Sequence, residues 1–473
     1  MLVSLRPYQT DAVNAIRDTY RNGRRAPLLV LPTGSGKTVI FCDITERVAA
    51  KNKRITILVH RQELLTQTSE HLDRLGIAHG RIATGHSMTG DHVQVASVQT
   101  LVRRLGRAVP PDLIVIDECH HANAGSWRKI LNAWPGSHVL GVTATPCRMD
   151  GSGLGQHAGG YFDALVEGPN IRKLIDLGFL SQPVVYAPPT GVDFSKAHMR
   201  AGDFVKSEVN DIVDKPTITG NAIEHYTRIC PNAPAIAFCA SVAHAEHVSD
   251  QFNQAGVPAA SLDGTMHYAQ RKHRIQSLAN GQIRVLTSCD IISEGTDIPV
   301  VTAAILMRPT QSTGLYLQQV GRALRVHPNK KYSYILDHVG NCIRHGLPDE
   351  EREWSLDGEK KRGKKRAEAG APIRQCSNCY AVYAFTLQTC PQCGCARDIL
   401  QREIKQVEGN LVEVTPEQAE AMRKQKRREV GKASTLDDLQ KIAKQRGYKP
   451  QWAQHVWRAR MKKRKQREFI YDY

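Results

Sequence analysis

Nowhere does this chain run close to twenty uninterrupted apolar residues, the length a membrane-spanning helix requires, so no membrane partner is expected. Its start, Met1-Leu2-Val3-Ser4-Leu5-Arg6, has no basic-then-apolar leader with a cleavage site, and a cytoplasmic location is expected. No repeat of fixed period is present beyond a broad duplication. A disulfide scaffold is not indicated either: most of the 12 cysteines stand singly, with Cys42, Cys239 and Cys289 in apolar contexts. Acidic charge is in deficit, 46 Asp+Glu against 64 Lys+Arg, a net +18. The deficit is local. Residues 359–473 carry 27 Lys+Arg against 13 Asp+Glu, whereas residues 1–358 are close to balance at 37 against 33. A basic tail of one sign points to a polyanion partner, because each neutralised phosphate releases counterions.

What is present is enough for two or three domains: 473 residues, 41% of them hydrophobic. Leu28–Leu31 is an apolar run that ends at Pro32, so it predicts a buried strand feeding the loop Thr33-Gly34-Ser35-Gly36-Lys37-Thr38. Glycines let backbone N–H groups turn toward a phosphate, and a helix starting near Lys37 aims its positive end at the same point. Lys37 would reach the β/γ-phosphates of ATP, and Thr38 would give its hydroxyl to Mg²⁺. The strict phosphate-loop spelling is broken at one place, where Leu31 stands for the first glycine. Downstream, the β-branched run Leu113-Ile114-Val115-Ile116 delivers Asp117 and Glu118 to a strand's carboxyl end, where open parallel sheets bind ligands. Asp117 would hold Mg²⁺, and Glu118 would orient and deprotonate the water that attacks the γ-phosphate.

Two strand–helix alternations follow. Apolar runs recur at 28–31, 55–59, 93–98, 113–116 and 139–142, and again at 235–238, 257–262, 283–287, 301–306 and 333–336, with helical stretches such as 61–75 and 243–255 between them. Each series predicts a parallel βαβ sheet covered on both faces. Residues 168–231 join the two, and 349–366 reads as a charged linker.

These residues resemble the superfamily 2 helicases and translocases. Leu5-Arg6-Pro7-Tyr8-Gln9 looks like the motif that reads adenine, with Arg6 and Gln9 as its nucleotide contacts. His60-Arg61-Gln62-Glu63-Leu64 and Ser97-Val98-Gln99-Thr100 resemble strand-backbone motifs, which makes Arg61, Gln99 and Thr100 nucleic-acid contacts, with Thr287 in the second series. Gly141-Val142-Thr143-Ala144-Thr145-Pro146 is similar to the motif that couples hydrolysis to lobe movement. Ser288–Pro299, containing Gly295 and Asp297, and Gln318-Gln319-Val320-Gly321-Arg322-Ala323-Leu324-Arg325 resemble the nucleotide motifs of the second lobe. The resemblance implies that Gln319 sits beside the γ-phosphate or attacking water, and that Arg322 and Arg325 reach across a cleft to the triphosphate. Arginine suits that role because its planar fork stays charged. The start, the Asp117-Glu118-Cys119-His120 box, Leu306-Met307-Arg308-Pro309-Thr310 and the cysteines after the second lobe are similar to RadD-like proteins and phage relatives. Against that pattern, Glu294-Gly295-Thr296-Asp297 departs from the Thr-Gly-Phe-Asp-like form, and the tail beyond Cys395 has no match.

Cys376-Ser-Asn-Cys379, ten residues, then Cys390-Pro-Gln-Cys393 matches a closed tetrahedral Zn²⁺ site, with Tyr380–Leu387 supplying hairpin strands and Cys395 left over; a redox pair, a disulfide pair and an iron–sulfur cluster are the alternatives. In the tail, Leu436, Leu439, Ile442 and Ala443 fall at helical spacing behind the cap candidates Ser434-Thr435. Trp452 and Trp457 among cations either stack on bases or pack a small helical hairpin, and the second reading is preferred. Pro348-Asp349 with Glu359-Lys360-Lys361 fits a loose nuclease spelling but lacks apolar strands to hold it.

The expected architecture is α/β: two tandem RecA-like parallel-sheet lobes, residues 1–167 and 168–346, a charged linker 347–372, a four-cysteine zinc ribbon 373–396, and a basic helical tail 397–473. The expected activity is an ATP-dependent DNA helicase or translocase using ATP, Mg²⁺ and Zn²⁺. It would act as a monomer on single-stranded or branched DNA from repair, recombination or replication, with a single-strand-binding or repair protein as a partner. The alternatives are an RNA helicase and the motor subunit of a restriction system. A non-enzymatic scaffold would require loss of Lys37, Asp117, Glu118 or the arginines, and none is lost.

Overall fold

The computed structural model of the chain describes residues 4–121, 125–148, 152–187, 199–200, 203–204, 216–289, 298–357, 373–376, 378–396, 424–425, 428–446, 451–459 and 461. The chain divides into two compact units, 1–398 and 399–473.

In the first unit, seven strands build one sheet: β1 (Pro27–Val30), β2 (Ile55–Val59), β3 (His79–Ile82), β4 (Val93–Ser97), β5 (Leu113–Asp117), β6 (His138–Thr143) and β7 (Ala164–Glu167). Their order is β3-β4-β2-β5-β6-β1-β7, every pair parallel. Every residue of β1, β2 and β5 is buried, as expected for a sheet covered by helices on both faces. A second sheet contains β8 (Pro183–Tyr186) and, after the short pair β9 (Met199–Arg200) and β10 (Asp203–Phe204), β11 (Ala235–Phe238), β12 (Ala259–Leu262), β13 (Val285–Ser288), β14 (Ala303–Leu306), β15 (Ser333–Asp337), β16 (Ile373–Gln375) and β17 (Ala381–Ala384). Its order is β12-β13-β11-β14-β15-β8-β17-β16; the pairs through β8 are parallel and the last two antiparallel. Two parallel-sheet lobes are therefore present, as the apolar runs predict, and they are RecA-like, as the resemblance implies.

The runs at 55–59 and 235–238 coincide with strands residue for residue, and the others are displaced by one or two residues. Besides the short β9, β10 and β16, three strands carry no such signal. β3 alternates His79 and Arg81 with buried positions at the sheet's edge, β7 is only partly buried, and β8 lies in the joining region. After leaving the first sheet the chain makes the helix Ile171–Asp176 and then enters the second sheet through β8.

Two expectations change. The hairpin expected wholly within Tyr380–Leu387 instead pairs β17 with β16, so the first cysteine pair sits in the turn between them. Because β17 also pairs with β8, the cysteine module extends the second sheet rather than standing alone. The charged stretch after residue 347 is docked in its first part: Trp354 packs against the hydrophobic clusters of both sheets, and Gly155 N–H donates to Leu356 O at 2.9 Å. Asp357 pairs with His157, and Asp349 pairs with Arg172. That last contact occupies the carboxylate of the nuclease-like spelling, whose Glu359 lies outside the described residues.

In the second unit a capping box opens the helix Leu436–Gln445, with Thr435 Oγ1 accepting from Asp438 N–H. Leu439, Ala443 and Ala453 are buried there, and Trp452, Val456 and Trp457 pack against them. The tryptophans therefore build a small core. Among the described residues no helix is long and apolar enough to cross a membrane.

Candidate nucleotide-hydrolysis site

β1 ends where the phosphate loop starts, and the loop's shape follows from its glycines. Gly34 and Gly36 take φ of 86° and 82°, the left-handed region that costs a side chain-bearing residue energy. Gly36 caps the helix Lys37–Ala49, whose first N–H groups have no partner within the helix. Lys37 is buried and its ammonium donates to the carbonyls of Leu31 (3.2 Å) and Pro32 (3.3 Å), so it lies folded along its own loop. Thr33 and Ser35 are buried, and Thr38 is half-buried at the helix's first turn.

The adenine-motif residues brace this loop from outside. Tyr8 Oη donates to Ser35 O at 2.5 Å and Gln9 Nε2 donates to the same oxygen at 3.1 Å. Gln9 Oε1 accepts from Arg6 N–H at 2.9 Å, so its amide is engaged on both sides. The Arg6 guanidinium lies 4.6 Å over the Phe179 ring, which packs 5.2 Å from Tyr8. Phe179 was not legible as a site residue; it lies in the joining segment, where no motif marks it.

β5 carries Asp117 and Glu118 into the same space, both buried. Glu118 has φ of 48°, a strained conformation for a residue with a side chain. Its backbone N–H donates to Asp117 Oδ1 at 3.0 Å. Burial raises the Asp117 carboxyl above its usual range, and the Glu118 charge adds to this while Lys37 opposes it. Burial lowers the Lys37 amine, with the two carboxylates opposing and Arg322 and Arg325 reinforcing. His120 Nδ1 lies 3.5 Å from Glu118 Oε2, an oxygen with no hydrogen-bond partner among the described residues, and 3.3 Å from Thr143 Oγ1, which donates to Thr145 O (3.0 Å) and accepts from Thr145 N–H (3.2 Å).

The second lobe closes the site. The helix Thr313–Ala323 packs so tightly that a Cβ on Gly321 would stand 2.5 Å from Thr33 Cβ, and one on Gly314 would stand 2.8 Å from Thr145 Oγ1. A Cβ on Gly34 would lie 3.1 Å from Arg325 Cγ and 3.3 Å from Leu180 Cδ2. Gln319 and Arg322 are buried, and Gln319 Oε1 has no hydrogen-bond partner among the described residues. The structure thus brings Lys37, Asp117, Glu118, Arg322 and Arg325 together. Gly295 and Asp297 lie outside the described residues.

Left-handed glycines, open helix N–H groups, a buried ammonium and two buried carboxylates form a donor set that fits a magnesium nucleotide. The four thiols fit a second metal. Cys376 and Cys393 sulfurs lie 3.6 Å apart, as do those of Cys379 and Cys390, and all four fall within 4.8 Å of one another. Tetrahedral Zn–S bonds imply sulfur separations of about 3.8 Å. Cys395 is not one of the four.

Of the residues expected to contact nucleic acid, Arg61 and Gln99 meet around His60: Arg61 Nε donates to its ring at 3.2 Å and Gln99 Nε2 to its carbonyl at 3.3 Å. Thr100 follows on the same short helix, Val98–Arg104. Thr287 is corrected: it is wholly buried, and its hydroxyl donates to Ala245 O at 2.6 Å, so it presents nothing to a strand. On this side Glu63 pairs with Arg271 across the lobes.

The family described as type III restriction enzyme, res subunit, matches residues 2–148, and the helicase conserved C-terminal domain matches residues 221–327. A 51.5 kDa protein of a Lactococcus phage (isolate 7-9) is 32% identical over 366 residues, covering 77% of this chain and 76% of the relative. A Saccharomyces cerevisiae (strain S288c) protein assigned as the ATP-dependent helicase IRC3 is 30% identical over 360 residues, covering 71% of this chain but about half (51%) of the relative. Among solved structures, a fragment assigned as an HsdR subunit of a type I restriction enzyme from Vibrio vulnificus YJ016 superposes with a TM-score of 0.57 at 22% identity, over 75% of this chain and 67% of that one.

Proposed function

The chain belongs to the superfamily 2 helicases, ATP-hydrolysing enzymes of nucleic acid, and from that premise we propose that it is a DNA-stimulated translocase or helicase of repair, recombination or replication intermediates. One observation carries the reading: Gly321, beside Arg322, is seated directly on Thr33 of the phosphate loop. A triphosphate bound at Lys37 then has guanidiniums from one lobe and carboxylates from the other around its γ-phosphate. Glu118 takes a proton from the attacking water, Gln319 orients it, and Arg322 and Arg325 offset the charge that spreads over the equatorial oxygens. Mg²⁺, held by Thr38 and Asp117, would neutralise β/γ-phosphate charge. The path Glu118–His120–Thr143–Thr145 ends against Gly314, so a change at the γ-phosphate has a route to the second lobe. Arg61, Gln99 and Thr100 would hold the strand backbone, and the basic tail would add phosphate contacts.

DNA is favoured over RNA by the Asp-Glu-Cys-His box and by the restriction-enzyme family over residues 2–148. The four-thiol module favours a RadD-like place within the superfamily, with Zn²⁺ in a closed structural site. The reading includes a cytoplasmic setting, a monomer on DNA, lobes divided near residue 167, and a single-strand-binding or repair protein as partner. A second reading, the motor subunit of a restriction system, is favoured by the same family description; it requires a partner that cleaves or methylates. ATPase assays on single-stranded, duplex and forked DNA and on RNA test the proposal. Stimulation by forked or single-stranded DNA is expected; stimulation by RNA alone would end the repair reading.

A further inference from the structure

Arg322 and Arg325 leave the backbone where the helix Thr313–Ala323 ends, and the last carbonyls of a helix need donors from elsewhere. Lys330 supplies them. Its ammonium donates to Val301 O and Arg325 O, each at 2.8 Å, and to Ala323 O. Three N–H groups meet three carbonyls, so the ammonium's donor capacity is fully used. Around it, Ser333 Oγ donates to Ala323 O at 2.6 Å and Ser181 N–H to Leu324 O at 2.7 Å. Val301 lies just before β14, on the chain that follows Asp297. One side chain therefore ties the approach to β14 to the two residues flanking Leu324. The stem of Arg325, on the same backbone, lies against Gly34 of the phosphate loop.

We propose that Lys330 is a positioning residue for ATP hydrolysis, whose charged ammonium holds the backbone from which Arg322 and Arg325 reach the triphosphate. This rests on the reading that those arginines act on the nucleotide. A guanidinium displaced by an ångström loses most of its effect on the transition state, so turnover should respond more than nucleotide binding. The lysine also titrates within a useful range: burial lowers it to about 7, and the Arg325 charge adds to this. His327 and Lys331 flank it in its own turn, Arg322 lies in the helix it caps, and Arg325 is the one charge among the described groups that acts on it. A neutral amine keeps two N–H donors and turns a lone pair on the third carbonyl. Turnover should therefore fall as pH rises through about 7. Stability should move the other way. The unfolded lysine keeps its proton to higher pH, so across that window the unfolded chain binds more protons and the fold gains stability with rising pH.

The test is DNA-stimulated ATPase of the full chain from about pH 6 to about 9, with melting temperature measured alongside, for wild type, Lys330→Met, Lys330→Arg and Arg322→Ala. Lys330→Met should lower kcat about ten-fold with the KM for ATP within about two-fold. Lys330→Arg, which still offers several fixed donors but does not deprotonate, should keep kcat within about three-fold and lose the alkaline decline. A wild-type rate that stays flat over the range overturns the proposal. So does an inactive Arg322→Ala beside a Lys330→Met with wild-type kcat and pH profile. If Lys330→Met does not fold, Lys330→Arg decides, and an unchanged alkaline decline in it overturns the inference. An Arg322→Ala enzyme with unchanged turnover would instead remove the underlying reading of the arginines.

Discussion

Lys37, Asp117 and Glu118 hang from the ends of β1 and β5, two strands separated only by β6, so their spacing is set by hydrogen-bonded register within one sheet. Arg322 and Arg325 hang from the end of one helix whose placement depends on Lys330, Ser181 and Ser333, side chains and backbone from three other segments. The first half of the site is built by local secondary structure and the second by tertiary packing. It follows that the first half should survive perturbation of the lobe interface, while the second should not.

Removing a charge from each half tests this first. Arg322→Ala should lower DNA-stimulated kcat about 10³-fold or more while leaving nucleotide binding to the first lobe measurable. Turnover retained at half the wild-type rate would place the guanidinium elsewhere. Glu118→Gln should lose about 10²- to 10⁴-fold in kcat yet still bind ATP, as judged by equilibrium titration with a fluorescent analogue. A smaller effect is expected from the interface itself. Gly321→Ala puts a methyl against Thr33, so closure should weaken and the KM for ATP rise about ten-fold. An unchanged KM would mean that the closed arrangement is not the one that binds nucleotide. Zinc removal by chelation, or Cys379→Ser, should lower the melting temperature by roughly 5 °C or more, since the first cysteine pair lies in the turn joining β16 and β17, which extend the second sheet. If melting is insensitive to zinc, the module contributes nothing to the lobe.

The smallest effect has the opposite sign. Burial raises the folded-state pKa of Asp117, so between the unfolded and folded values the native chain holds more protons and its stability falls as pH rises. Asp117→Asn removes that cost and should raise the melting temperature at neutral pH by about 2 °C while abolishing turnover. A lower melting temperature would mean that the carboxylate's hydrogen bond from Glu118 N–H outweighs its burial.

Much of the first half was legible because its signals are contiguous: an apolar strand followed by glycines, and another followed by two carboxylates. The arginines and their reach across the cleft were legible only through the resemblance, not from any apolar or glycine pattern around them. Phe179, Leu180 and Ser181 were not legible, although they touch Tyr8, the space beside Gly34, and Leu324. Their neighbours are far away in the chain and no periodicity marks them. Thr287 was misread for a related reason: strand alternation cannot tell a buried hydroxyl bonded to Ala245 O from one facing a strand of DNA. The tail tryptophans were legible as a choice between two states, and Ala453, Leu439 and Ala443 resolved it by packing.

Sequence alone determined that this chain makes two parallel sheets, a phosphate loop and a carboxylate pair, since period, glycine placement and apolar runs act over a few residues. Only the tertiary structure decided that the cysteine hairpin extends the second sheet, that residues 348–357 dock back on the first lobe, and that Lys330 holds the backbone of the arginines. Those outcomes depend on which buried carbonyls and strand edges are left without partners once the sheets have formed, and a linear pattern does not encode that remainder.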